Sequence, residues 1–189
     1  MEPFVFEARA PVAAAPEIAF DALASIGPRE AFARRPGLPE VVGVEEQTGD
    51  WTSVGDSRIL RLADGGGMLE TLLAFDRPRE IVSIVTEVGA PLRRGVGSIR
   101  SSWRLESRLE CRLEPGVARG VESGASPALE VVRRCVLAPR SVWTRPIAGW
   151  LVRRAWPRVL TADVALASER IRSAAESRET ERQGGRRDG

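Results

Sequence analysis

Glu70 interrupts an otherwise apolar run from Met68 to Phe75 (MLETLLAF). An ionised carboxylate in such surroundings is costly unless it is paired or hydrogen-bonded. Arg58, Arg61 and Arg133 are the candidate partners. A carboxylate so placed can anchor the polar end of a ligand, or move a proton if its surroundings raise its proton affinity. Strand parity leaves its direction open, because Leu69, Leu73 and Phe75 on the opposite parity also favour burial. Trp103 alternates with Ile99 and Leu105, so it is either a core aromatic or a cavity wall that stacks on a flat ligand. Cys135 alternates with Arg133 and Leu137 and reads as a small buried hydrophobe. Trp51, in GDWTSVG, is expected to cap a sheet edge.

The missing residue types limit the chemistry further. The 189-residue chain has no His, Tyr, Lys or Asn, and all 28 basic residues are Arg. Ser-His-Asp and Cys-His catalysis, His-containing zinc sites, a P-loop lysine and Schiff-base chemistry are therefore excluded. Acid–base work falls to Asp, Glu, Cys or water. Two cysteines, Cys111 and Cys135, make no disulfide framework. No metal or cofactor is expected. No apolar stretch reaches 18 residues and the first ten carry acids, so the expectation is a cytoplasmic protein.

Charge is unevenly spread. Val131 to Ala162 holds Arg133, Arg134, Arg140, Arg145, Arg153, Arg154 and Arg158 with no acid, while the whole chain is only +2. This +7 segment is either a solvated face or a surface for an anionic partner. Trp143, Trp150 and Trp156 lie among these arginines, a composition compatible with a membrane interface or with ordinary core tryptophans. No nucleic-acid-binding motif accompanies it, so nucleic acid is not an expected partner.

The elements that must position these residues follow from periodicity. Phe4 to Val12 reads as a strand with Phe4, Phe6, Ala8, Ala10 and Val12 on one face. Pro16 opens a helix to Ile26, and a second short helix is expected over Arg29–Arg35. Strands are expected over Val41–Gln47, Asp56–Ala63, Met68–Asp76, Glu80–Val88, Gly97–Glu114 and Leu129–Leu137. Pro115 to Pro127 reads as a loop. Thr144 is a candidate cap for a terminal helix that Pro157 should kink or restart. From Arg158 to about Arg178 its apolar stripe is Leu160, Val164, Ala167, Ile171 and Ala174. One domain over 1–178 and a polar, disordered tail over 179–189 are expected. Consecutive strands with segregated helices give an α+β fold. Six or seven antiparallel strands curl around the long C-terminal helix, and the space between them tends to become a pocket.

Three segments resemble the START-like (SRPBCC) superfamily with its helix-grip fold, in particular its bacterial polyketide cyclase/dehydrase-type members. They are Ala13–Leu23 (AAAPEIAFDAL), Val54–Arg61 (VGDSRILR) and Gly66–Val88 (GGMLETLLAFDRPREIVSIVTEV). The resemblance runs to about Ala175, and departs from the pattern in the long Ser107–Leu129 connection and in the missing aromatic and His pocket residues. It implies that Glu70 points into the cavity, that Ala63–Gly67 is a gate loop at its mouth, and that Gly89–Arg94 is the facing loop.

Together these readings name Arg58, Arg61, Met68, Glu70, Leu72, Ile84, Ile99, Trp103, Arg133, Leu160 and Val164 as ligand-contacting candidates, with Glu70 also the candidate catalytic group. The leading expectation is a cavity that binds a small hydrophobic molecule such as a lipid, isoprenoid or polyketide. The alternatives are a cyclase/dehydrase-type enzyme using Glu70 and an Arg, with an acidic carrier protein docked at 131–162, and an interaction module. The module would either dimerise through an outer face around Leu73 and Phe75 or bind an anionic membrane through the Arg/Trp helix.

Overall fold

The structure, a computed structural model, describes residues 2–32, 40–89, 94–108, 128–141 and 145–184. β1 (Phe4–Val12) leads to α1 (Pro16–Ala24) and the single turn α2 (Pro28–Ala31). Six strands follow: β2 (Val41–Glu45), β3 (Ser57–Leu62), β4 (Gly67–Asp76), β5 (Glu80–Thr86), β6 (Val96–Arg108) and β7 (Ala128–Pro139). α3 (Arg145–Gly184) closes the described chain. The seven strands form one antiparallel sheet in the order β1-β7-β6-β5-β4-β3-β2.

The expected elements are all present, with shifted ends. α1 stops at Ala24, two residues early, where Ser25 caps it by donating its hydroxyl to the Ala22 carbonyl. α2 starts at Pro28, since a proline suits a first helical turn. Ala33–Arg35, the 109–127 connection, Cys111, Trp143 and Thr144 lie outside the described residues. β1 alternates as expected, with Phe4 and Val12 buried and Phe6, Ala8 and Ala10 half-buried.

Two features depart from simple periodicity. The β4–β5 register shifts between Leu72 and Ala74. A bulge of this kind resets side-chain parity, so Leu72 is buried, Leu73 is exposed, and Phe75 turns inward to meet Phe20 edge-on at 5.1 Å between ring centroids. The apolar outer patch expected around Leu73 and Phe75 therefore loses its larger member. The second departure is at Pro157, through which α3 continues as one helix. Pro157 is exposed. The Arg153 carbonyl that loses its partner thus lies on the wet side, where water can satisfy it. α3 also runs past Arg178 to Gly184. Residues 179–184 are thus helical rather than the disordered tail that composition suggests, and 185–189 lie outside the described residues.

α3 lies across the concave face of the sheet, packing on β1, β7 and α1. The approach to β1 is close: a Cβ on Gly149 would sit 3.2 Å from the Phe4 ring. The expected stripe is buried, with Leu160, Val164, Ala167 and Ile171 all at 5% exposure or less. Two apolar clusters result. One gathers Phe4, Leu60, Leu137, Val152, Trp156 and Leu160, and the other Phe20, Leu23, Val131, Val164, Ala167 and Ile171.

Candidate functional site

Between sheet and helix lies a cavity of about 100 Å³. Its floor is the inner face of β3–β7, its roof is Trp156, Val159 and Asp163 of α3, and Pro28, Ala31 and Phe32 close one side. Most of the lining is apolar, but a row of polar side chains crosses the floor. Period-two alternation puts Arg58, Glu70, Ser83 and Ser101 on the same face of four successive strands. Arg58 and Glu70 are direct register partners, as are Ser83 and Ser101.

The row is hydrogen-bonded throughout. Arg58 donates Nε to Glu70 Oε2 at 2.8 Å, and its Nη2 lies 2.7 Å from the same oxygen as an ion-pair contact. Ser83 donates its hydroxyl to Glu70 Oε1 at 2.8 Å. The Ser83 and Ser101 oxygens are 3.1 Å apart. A hydroxyl has one proton, and that of Ser83 is committed to the carboxylate, so Ser101 is the donor to Ser83. Ser101 Oγ keeps its acceptor capacity at the inner end of the row.

At the outer end, the Arg58 guanidinium stacks 3.6 Å from the Trp51 ring centroid. Trp51 is held by its loop. Its backbone is left-handed (φ 60°), a conformation that costs a non-glycine residue about 1 kcal/mol or more. Asp56 Oδ2 fixes the turn by accepting the N–H groups of Thr52 and Ser53. Trp51 therefore walls the cavity.

A second ion pair joins sheet and helix. Arg133 Nε donates to Asp163 Oδ2 at 3.2 Å, and both residues are buried. Arg133 also lies 4.5 Å from the centroid of its register partner Trp103. Beside them Cys135 is 3% exposed. Burial pushes its thiol above the ordinary range, against smaller opposing effects of the Arg133 charge and the Trp156 indole. The Trp156 N–H faces that sulfur, a weak acceptor, and has no other hydrogen-bond partner among the described residues.

Of the candidates named from the sequence, Arg58, Met68, Glu70, Ile99, Trp103 and Arg133 line the cavity. Arg61 does not. It is three residues from Arg58, hence on the opposite face, where it pairs with Glu45 at 2.7 Å in solvent. Ile84 is likewise off the cavity, since its neighbours Ser83 and Val85 carry the inward parity. Leu72 is fully buried beyond the cavity wall. Leu160 and Val164 are core residues, and the helix face over the hollow is rotated by one residue to Trp156, Val159 and Asp163. Ser83, Ser101 and Asp163 escape the sequence reading. Their signal is present in it: a small hydroxyl on the apolar parity of two successive strands, and a lone acid in an apolar stripe directly after a run of seven arginines.

Asp64–Gly67, within the expected gate loop, and Gly89, of the facing loop, border a separate, more open hollow of about 720 Å³ with Val96, Gly97 and Arg140. The β2–β3 loop carrying Trp51 is at the opposite end of the sheet from this β3–β4 turn. The gate-loop residues therefore do not line the buried cavity, and residues 90–93 lie outside the described residues.

No family model matches the chain, and no curated protein matches it. Solved structures do, at low identity. The di-domain ARO/CYC protein BexL from the BE-7585A biosynthetic pathway is 15% identical over 89% of this chain, with a TM-score of 0.53. The chain spans 50% of that protein. Norcoclaurine synthase from Thalictrum flavum, solved with dopamine and hydroxybenzaldehyde, is 15% identical over 89% of this chain and 84% of its own, with a TM-score of 0.50. Ara h 8.0201 is 11% identical over 87% of this chain and 97% of its own, with a TM-score of 0.51. The chain shares its overall fold with these proteins, the helix-grip fold.

Proposed function

We propose that the chain binds a compact, uncharged, mainly apolar molecule in the concave-face cavity. The carrying observation is the combination of an apolar hollow with a polar row whose charges are already paired. Arg58 is taken up by Glu70 and Arg133 by Asp163, so an ionised ligand would be desolvated with no counter-charge to meet it. Ser101 Oγ can accept from a ligand hydroxyl, and the Trp156 N–H is a donor that a ligand oxygen could satisfy. A buried donor left without a partner costs about 1–3 kcal/mol.

Size narrows the class. Pockets for drug-sized ligands run to roughly 300–1,000 Å³, whereas a cavity of about 150 Å³ holds benzene. At about 100 Å³ the hollow is somewhat smaller than that, so a single ring is the upper limit and enters with a small outward shift of the Phe32 wall. A lipid or poly-keto chain would need α2 and Phe32 to move aside. Enclosing about 200 Å² of ligand at ~25 cal/mol per Å² contributes near 5 kcal/mol before association costs. The test is thermal melting with matched pairs, p-cresol against p-toluate and benzyl alcohol against benzoate. The neutral member of each pair should raise the melting temperature and the carboxylate should not. Equal shifts, or none, would contradict the reading.

A second reading is an enzyme of cyclase/dehydrase kind. The Ser101–Ser83–Glu70 chain favours it, because it offers a continuous proton path from the cavity to a carboxylate. On this reading Glu70→Gln abolishes turnover of an enolisable ring ketone while leaving its binding in place.

A further inference from the structure

The N-terminal half of α3 has an outward face with a distinct composition. Trp150 is 66% exposed, the most exposed large aromatic among the described residues. Arg153, Arg154 and Arg158 follow at three, four and eight residues, so they share its side of the helix. All three are exposed. None has a carboxylate partner among the described residues; Arg153 only leans toward the Phe4 ring, at 5.8 Å. Several other surface arginines are paired, and those that are not, such as Arg79, Arg100 and Arg134 on the sheet, have no exposed tryptophan beside them among the described residues. Arg9 is surrounded by Glu7, Glu106 and Glu130, and Arg77, Arg104 and Arg170 each hold an acid. Nor does the tryptophan serve the core, which uses Trp156 and Val152 on the opposite side of the helix.

We propose that this face docks the protein on an anionic lipid surface, with the Trp150 ring at headgroup level and the three guanidinium groups on lipid phosphates. A bilayer fits better than an acidic protein because the face is an exposed helix flank rather than a groove. Trp150, an exposed aromatic with three cations on its side of the helix, fits the pattern of helices that lie in the membrane interface. Among the described residues no helix is long and apolar enough to cross a membrane, so contact is peripheral. The inference is independent of what the cavity holds.

The test is flotation of the full chain with phosphatidylcholine vesicles, with and without one quarter phosphatidylglycerol. Binding should need the anionic lipid and should be lost at high salt. Each arginine near such a surface changes the partition about fivefold. Arg153→Gln/Arg154→Gln/Arg158→Gln should therefore weaken binding about a hundredfold. Trp150→Ser should weaken it while leaving the salt dependence unchanged. A basic protein sticks to anionic vesicles unspecifically, so the control removes three exposed arginines elsewhere, Arg79→Gln/Arg100→Gln/Arg134→Gln, and should keep most of the binding. Absence of binding to the anionic vesicles, or an equal loss in both triple variants, overturns the proposal. Retention on polyglutamate resin without vesicle binding overturns it in favour of an acidic protein partner.

Discussion

Glu70 is the buried charge around which the polar row of the cavity is built. Both its oxygens accept a hydrogen bond, one from Arg58 and one from Ser83. Its burial is foreseeable as a conflict between a charge and an apolar strand, but the partner is not. Three arginines are in range by type, and only the register selects Arg58, which is cross-strand from Glu70. Breaking a buried pair by removing one partner costs about 3–5 kcal/mol, while replacing both by apolar groups of similar volume is often neutral. Glu70→Gln should thus lower the unfolding free energy by about 3 kcal/mol in urea titration, and Arg58→Met/Glu70→Leu should recover most of that loss. A Glu70→Gln change within about 0.5 kcal/mol of wild type would mean that the pair is more hydrated than its burial indicates.

At the scale of elements, strand alternation and helix stops are legible because they depend on local pattern. β1 is clear because its apolar residues keep strict period two. Two misplacements come from single-residue geometry that periodicity averages over. The bulge after Leu72 turns Phe75 inward. A one-residue rotation of α3 puts Trp156, Val159 and Asp163 over the cavity in place of Leu160 and Val164. The four-residue α2 becomes a cavity wall because the chain returns there to cover the sheet, a long-range consequence that a Pro-Arg-Glu-Ala segment does not announce. Pro157 misleads in the other direction, since its penalty is smaller where water can meet the freed carbonyl.

At the scale of the whole molecule, composition makes one property unusually readable. With no Lys or Tyr, between about pH 9 and 11 the cysteine thiols are the side chains that titrate. Burial raises the Cys135 thiol above its ordinary 9.0. The folded protein therefore holds a proton that the unfolded chain releases, and stability should fall as pH rises above the unfolded value. Below it Cys135 contributes no pH dependence. Cys135→Ala should flatten the alkaline limb of the melting-temperature curve, and an unchanged limb would place the thiol in contact with water. The fold itself is legible at this scale too, because the order strand, short helices, consecutive strands, long helix leaves few ways to cover one sheet face. The cavity's size is not, since it depends on how closely α3 and α2 approach the sheet.

Uptake of a neutral ring-sized molecule by this small hollow on the concave face has a direct calorimetric readout. Titration calorimetry of p-cresol into the wild type and into Ser101→Leu, whose larger side chain would occupy the hollow, tests it most directly. Wild type should bind and a folded Ser101→Leu variant should not. Equal heats in the two proteins, or none in the wild type, would contradict it.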